Sequence, residues 1–356
     1  MKVIHARNVQ QALPEALRAL LIEGVTRESR NGPVLAFDEP VTTVYEKPAE
    51  RVLFWAERDA NPFFHLVESL WMLNGANDVE TVAAFVTRMR NFSDDGKTFH
   101  GAYGYRWRKH FDFDQLPAII EALRKDSTDR RQVLSMWDTR ADLGRQGKDL
   151  PCNLQAIFQV TAAGALDMTV TNRSNDIVWG AYGANAVHFS YLHEFVARAV
   201  GVPQGRYRQV SANFHAYKDV LKQVEGLAEF AADPLVPADL RDTTDPYTLG
   251  DVEPFPLMTV DYRQWLAELS LFMSEGPVIG IRDPFFRRVA APVILAHAAY
   301  RNNKGGAKYD EPLKILQQCA ALDWRRACED WINRRRAAAE AKARAERAKD
   351  DGVAYE

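Results

Sequence analysis

In Asp149–Val160, DLPCNLQAIFQV, a cysteine directly follows a proline at the head of an apolar run. A free cysteine is among the most buried residue types and packs there as a small hydrophobe. As a thiolate it is a nucleophile, and that state needs cations or hydrogen-bond donors nearby. Cys152 by itself is compatible with both. Two further clusters carry chemistry. Asn172–Gly180, NRSNDIVWG, sets Arg173 beside Ser174, a forked cation and a hydroxyl that together suit a phosphate. Asn213–Tyr217, NFHAY, spaces His215 and Tyr217 two apart, so an extended chain turns both to one face. Taken singly, a hydrogen-bonded, half-buried imidazole and a packed ring with a wet tip describe these two equally well. Arg130-Arg131, just before a predicted strand, and Arg30 in SRNGPV are further phosphate candidates, although an isolated arginine is ordinarily a solvated surface charge.

The elements that must position these groups follow from periodicity. Helical spacing predicts helices over Pro62–Asn74, Leu116–Lys125, Val187–Val200 and Tyr262–Ser274. Alternating or β-branched runs predict strands at Gln132–Asp138, Leu154–Thr161, Leu166–Thr171 and Arg206–Ser211, with Ala162–Ala165 as a hairpin turn between two of them. Strands grouped in the middle, with helices before and after, describe an α+β layered domain. Arg301–Pro312, RNNKGGAKYDEP, has the chemistry of a linker. Beyond it comes a helix rich in alanine, arginine and glutamate whose far end lacks an apolar face. It reads as a solvated helix capping the domain rather than a nucleic-acid-binding tail.

Composition removes several classes. The 356 residues are 47% hydrophobic and 26% charged, enough for a large core, and a net charge of −3 does not suit a general nucleic-acid binder. Cys152, Cys319 and Cys328 make no disulfide framework, which points to free thiols in a reducing cytoplasm. No signal peptide is visible, and no run approaches the roughly 20 apolar residues of a membrane span. The chain has no GxGxxG opening a helix, no GxxxxGK[ST] loop and no HExxH or CxxC pair, so neither a dinucleotide nor a metal is expected.

Taken together and in order, the motifs resemble the thymidylate synthase family, which includes the deoxypyrimidine-monophosphate hydroxymethylases. SRNG holds Arg30, VESLW holds Glu68, YGYRWR holds Tyr103, and DRRQV holds Arg130 and Arg131. LPCN holds Cys152, NRSNDIVWG holds Arg173, Ser174, Asp176 and Gly180, and Asn185 with the His215 and Tyr217 of NFHAY completes the set. The resemblance implies a layered mixed-sheet catalytic domain over residues 1–300, a linker at 301–312, and a charged helical extension at 313–356 that is foreign to the core family.

The resemblance also implies a reaction: one-carbon transfer from 5,10-methylenetetrahydrofolate to C5 of a deoxypyrimidine monophosphate. Cys152 would add to C6 and turn C5 into an enolate carbon. Asn185 would pair with the O4/N3 edge of uracil, while Tyr103 and Glu68 would manage proton transfers, partly through ordered water. Arg30, Arg173 and Ser174 would clamp the phosphate, with Arg130 and Arg131 donated by the second subunit of a homodimer. So many arginines would also favour the thiolate. His215 and Tyr217 would hold the 3′-hydroxyl, Asp176 would meet the pterin, and Gly180 would let backbone approach the bases.

Departures from the family pattern bear on product and base. Asn153, Asn172 and Asn213 replace a histidine, a glutamine and an aspartate; Gly183-Ala184 replaces a proline-phenylalanine pair. Reaching Asn185 requires one inserted residue, and Ala184 is the ungapped alternative. The segment AAFVTRMRNFSDDGKTFHG lacks the family's folate-lining tryptophan, and the sequence runs into a charged helix and VAYE rather than a short apolar tail. A site less well sealed lets water capture an exocyclic methylene before hydride can. The expected product is therefore 5-hydroxymethyl-dUMP, with dTMP formation, dCMP hydroxymethylation and a non-catalytic nucleotide- or nucleic-acid-binding regulator as alternatives. DNA cytosine methyltransferases share the Pro-Cys pair but need a glycine-rich loop that is not visible. Hydroxymethylases of this kind occur in bacterial viruses, which would place the chain in the cytoplasm of an infected bacterium.

Overall fold

A computed structural model of the protein describes residues 1–231 and 245–350, with side chains through residue 347. Among the described residues, ten strands form two sheets. They are β1 (Lys2–Ala6), β2 (Val25–Arg27), β3 (Val34–Ala36), β4 (Val41–Tyr45), β5 (Val133–Ser135), β6 (Asn153–Val160), β7 (Leu166–Asn172), β8 (Asn175–Asp176), β9 (Gln204–Ser211) and β10 (Phe214–Tyr217). The larger sheet runs β1-β4-β9-β7-β6-β5 and the smaller β2-β3-β10-β8. Pairing is mixed: β7 lies parallel to β9 and antiparallel to β6. With helices on one side, this is an α+β layered fold.

Alternation builds the layers. On β7, Leu166, Met168 and Val170 are fully buried, whereas Asp167, Thr169 and Thr171 on the opposite face are only partly covered. The covered face packs on the helix Asn185–Val200, which is buried almost all round, as a central helix must be. Against it lies Pro62–Leu73, opened by Asn61 accepting from Phe64 N and by a proline in the first turn. Gly104 lets the Tyr103–Arg108 helix reach this one: a Cβ there would stand 1.9 Å from the Met72 carbonyl oxygen.

Two strands leave the large sheet together. β7 passes into β8 through Arg173-Ser174, and β9 into β10 through Ala212-Asn213. The gap is stitched by Ala212 N donating to Asn172 O at 2.9 Å and Asn175 N to Asn213 O at 2.8 Å. Chemistry-bearing residues collect at this seam.

The expected elements are present with shifted ends, except that Gln132–Asp138 contributes only Val133–Ser135 to the sheet. Unforeseen are β1, β4 and the Val9–Glu23 helix, which complete the larger sheet's other side. VTTVY of β4 is buried at every position, so it shows no alternation to read. The stretch read as a linker is also different: the chain breaks only around residues 303–306 and resumes as the helix Ala307–Leu316. Its packing supplies the reason, since Tyr300 meets Tyr309 and Trp331 and the chain has apolar surface to bury there. The following helix, Leu322–Asp350, buries Trp324, Cys328, Trp331 and Ile332, and is exposed over residues 337–347. The VAYE terminus lies outside the described residues. No helix among the described residues is long and apolar enough to cross a membrane.

Candidate active site

Cys152 sits at the mouth of β6, partly exposed, where that strand meets the seam. Its loop is held from two sides. The Tyr103 hydroxyl accepts from Cys152 N at 3.1 Å and from Asn153 N at 3.2 Å. Arg173 donates from Nε to Pro151 O at 2.8 Å and from Nη2 to Leu150 O at 3.1 Å, while its backbone N–H bonds Cys152 O at 2.9 Å. Burial raises the Cys152 thiol above its ordinary value; Arg173 and Arg30 pull it down, and Asp149 pushes it up. The arginines therefore do not deliver a resting thiolate.

Asn185 lies in a chain of buried amides. Asn172 Nδ2 donates to Asn153 Oδ1, Asn153 Nδ2 to Asn185 Oδ1 at 3.1 Å, and Asn185 Nδ2 to Asn175 Oδ1 at 3.0 Å. Asn175 Nδ2 donates on to Gln209 Oε1 at 2.6 Å and Ser211 Oγ at 3.0 Å, and Gln209 Nε2 ends on the Tyr207 hydroxyl at 2.9 Å. Every link runs head to tail. Asn185 reaches this position because Ile177–Ala184 is a π-helix, with Asn185 N bonding Gly180 O five residues back. The segment is kinked at Tyr182 and Gly183, whose backbone angles are not helical, and a π turn accommodates one residue more than an α turn. Gly180 is needed beneath it: a Cβ would stand 2.6 Å from Asn175 Oδ1.

Glu68, on the Pro62–Leu73 helix, places Oε2 3.2 Å from His188 Nε2, and neither atom completes a hydrogen bond elsewhere. Burial and the nearby Asp149 push the Glu68 carboxyl up to about 8, and burial drives His188 down to about 3. At neutral pH the pair is a carboxylic acid beside a neutral imidazole.

Asp176 caps the π-helix, with Oδ1 accepting from Trp179 N at 2.6 Å. Its Oδ2 is buried and completes no hydrogen bond of ordinary geometry, although the Tyr217 backbone N–H favours the carboxylate, and burial on balance raises its pKa. Such an under-satisfied acceptor suits the amino and ring N–H donors of a pterin. Trp179 lies between two guanidiniums, Arg58 at 4.6 Å and Arg88 at 4.5 Å from the ring centre. Arg88 comes from the segment that lacks the family tryptophan, so an indole from elsewhere in the chain stands against it.

His215 pairs in register with Asp176 across the small sheet, and its ring meets Tyr217 edge-on at 5.4 Å. Tyr217 OH accepts from Asn31 Nδ2 at 3.4 Å, which joins it to the exposed loop carrying Arg30. Arg30 donates to Gly147 O at 3.4 Å. Ser174 is half-buried in the seam beside Arg173.

The structure thus gathers Cys152, Tyr103, Arg173, Ser174, Asn185, Asp176 and Gly180 around the seam, with Arg30, His215 and Tyr217 at its rim. Arg130 and Arg131 are not brought there. Phe158 N bonds Gln132 O, which sets them beside the far end of β6, about 20 Å along the strand from Cys152. Arg131 is paired with Asp129 on the surface. Residues missed from sequence include Asn175, Gln209 and Ser211. On β9, Tyr207, Gln209 and Ser211 share the buried parity, so polar residues at inward positions were the available signal. His188, polar on an all-buried helix, was another; nothing local marks Arg58.

Comparisons with known proteins show what the chain is similar to. A family model described as thymidylate synthase matches residues 15–268. A deoxyuridylate hydroxymethyltransferase of Pseudomonas phage M6 is 67% identical over 356 residues, covering all of both chains. One of Bacillus phage SP01 is 33% identical over 240 residues, 61% of this chain and 62% of that one. A thymidylate synthase of Streptococcus thermophilus is 28% identical over 229 residues, 63% of this chain and 77% of its own.

Proposed function

The chain belongs to the thymidylate synthase family, and from that premise we propose that it converts dUMP and water to 5-hydroxymethyl-dUMP with 5,10-methylenetetrahydrofolate as one-carbon donor. It is a folate-dependent transferase. The observation that carries the product is the end-to-end similarity to a phage deoxyuridylate hydroxymethyltransferase. The folate, when bound, supplies a carbon at the oxidation level of formaldehyde.

The residues divide the work as follows. Cys152 adds through sulfur to C6 of the uracil, and C5 gains the electron density needed to take up carbon. Asn185 keeps one N–H and one lone pair beyond its two amide neighbours, which matches the O4 acceptor and N3–H donor of uracil. Tyr103 fixes the cysteine loop. Glu68, protonated beside His188, holds a transferable proton near the base. Arg30, Arg173 and Ser174 take the 5′-phosphate, and His215 with Tyr217 takes the 3′-hydroxyl. Asp176 Oδ2 meets the pterin, with Gly180 keeping the approach open. Arg130 and Arg131 act on the site of a second subunit in a homodimer. The half-covered face of the larger sheet, with Thr169 and Thr171 on it, supports that pairing. The setting is the cytoplasm of a phage-infected bacterium.

Water capture agrees with the wall around Trp179. Two guanidiniums lie within 5 Å of the indole centre, and the residue is 38% exposed. Polar cover of that kind retains water where a dry apolar wall excludes it. The deciding experiment incubates the protein with dUMP and methylenetetrahydrofolate and identifies both products by mass. Tetrahydrofolate with a nucleotide heavier by CH2O is expected; dihydrofolate with dTMP overturns the product.

A further inference from the structure

The helix Leu322–Asp350 lies beyond the family match, which ends at residue 268, yet it reaches the active site through one turn. Arg335 forms a bidentate pair with Asp59, Nη1 to Oδ1 at 2.6 Å and Nη2 to Oδ2 at 2.7 Å, and Arg334 Nε adds a bond to Oδ1 at 3.1 Å. Arg335 is itself stacked on Trp331 at 3.8 Å, and Trp331 packs edge-on against Phe63 at 5.4 Å. Asp59 sits at φ 45°, the left-handed region that Asp and Asn tolerate better than other side chains. Its neighbour Arg58 points the opposite way, into the protein, and is 4% exposed. Arg58 Nε donates to Val178 O at 2.8 Å, and its guanidinium lies over Trp179. Gly183 makes room for it, since a Cβ there would stand 2.7 Å from Arg58 Nη2.

A buried guanidinium held by one carbonyl and one ring has a strong pull toward water. Among the described residues no carboxylate hydrogen-bonds Arg58, Asp176 and Asp59 acting on it only through space, so its place depends also on the turn that carries it. That turn is pinned from outside by two arginines of the terminal helix. We propose that the C-terminal helix is a remote clamp on the folate side of the active site: Arg334 and Arg335 hold Asp59, and the Asp59 turn thereby keeps Arg58 against Trp179 and the Val178 carbonyl. Asp59, Arg334 and Arg335 are positioning residues. The clamp rests on the reading that Asp176 and its π-helix meet the pterin.

The test uses full-length protein with Asp59→Asn, which keeps the left-handed turn and removes the charge, and with the double variant Arg334→Gln/Arg335→Gln. KM for methylenetetrahydrofolate is expected to rise about five- to tenfold, as for loss of one or two charge-assisted contacts. The kcat at saturating folate, the Kd for dUMP by calorimetry and the Tm should remain close to those of the unaltered protein. Arg335→Lys, which keeps a cation, should restore most of the folate affinity relative to the double variant. An unchanged folate KM in both variants overturns the clamp, and so does a parallel loss of dUMP affinity and Tm, which would mark the contacts as general support. If the unaltered protein shows no dUMP-dependent turnover with methylenetetrahydrofolate, the family-based function fails instead. The two failures are thus separable.

Discussion

Asn153 Nδ2 donates to Asn185 Oδ1 at 3.1 Å, in the middle of a run of buried amides that all point the same way. A lone asparagine can flip its amide and offer either base the pattern it wants. Asn185 cannot do so freely, because flipping would set N–H against N–H at Asn153 and oxygen against oxygen at Asn175. Its free edge therefore keeps one fixed donor–acceptor sense.

Changing that edge should have a cost beyond the base. Asn185→Asp places an acceptor opposite Asn175 Oδ1, where a donor stood. Loss of dUMP turnover is expected, with stability lowered by about 1–3 kcal/mol through the unsatisfied buried contact. Chemical denaturation and turnover on dUMP and dCMP would measure both effects. A variant of unchanged stability would remove the amide chain from the account.

For the nucleophile, Cys152→Ser should lower turnover by at least about a thousandfold while calorimetry finds dUMP affinity within a few-fold of normal. Because burial raises the thiol pKa, alkylation of the free enzyme should accelerate with pH through an inflection above the ordinary cysteine value. Arg173→Gln should move that inflection higher still. An inflection below the ordinary value would mean the cations prevail over burial.

Glu68 yields a pH prediction with a definite sign. Its folded pKa, about 8, lies above its ordinary value of 4.5, so the protonated form is the one the fold favours. That contribution to stability is fully present below about 4.5 and is lost as pH rises through about 8. The Tm of the unaltered protein should therefore fall more steeply between about pH 5 and 8 than that of Glu68→Gln, and the two slopes should converge above about 8. Activity of the unaltered protein should show a descending limb centred near pH 8, where the Glu68 proton is lost. Parallel Tm curves would contradict the assignment.

Subunit sharing can be read by complementation. Neither Cys152→Ser nor Arg130→Ala/Arg131→Ala homodimers should turn over efficiently. Mixing the two and allowing subunits to re-pair should restore about one site in four, because one site of each mixed dimer combines an intact cysteine with intact partner arginines. A mixture no more active than its components would return Arg130 and Arg131 to the role of surface charges.

Truncation should divide the terminal helix into two parts. Ending the chain after Arg336, whose described successors 337–347 are all exposed, should leave Tm nearly unchanged. Ending it before Leu322 strips Trp324, Cys328, Trp331 and Ile332 from the core, and at several kcal/mol for such losses the protein should not fold stably. Deleting residues 313–356 is thus a test of folding before it is a test of partner binding.

The chemistry of this protein was readable in its sequence because it resides in residue types at short spacings. Pro151-Cys152, Arg173-Ser174 and His215 with Tyr217 each lie within a few residues, and strand parity already set the last pair on one face. The central strands and the amphipathic helices were readable for the same reason, since period and burial are local properties of a half-covered element.

What only tertiary structure decided depends on contacts between distant segments. β4 hid because burial on both faces erases alternation. A π turn sets Asn185 against Asn153 and Asn175, and the amide chain joins residues from four strands and a helix. The Cys152 pKa turned on burial as well as on nearby arginines. Arg58, Trp179 and the terminal helix meet through residues more than a hundred positions apart in sequence, and no local pattern encodes such a meeting. Side-chain type limits what chemistry is possible; the environment that folding builds around it selects which of those possibilities is used.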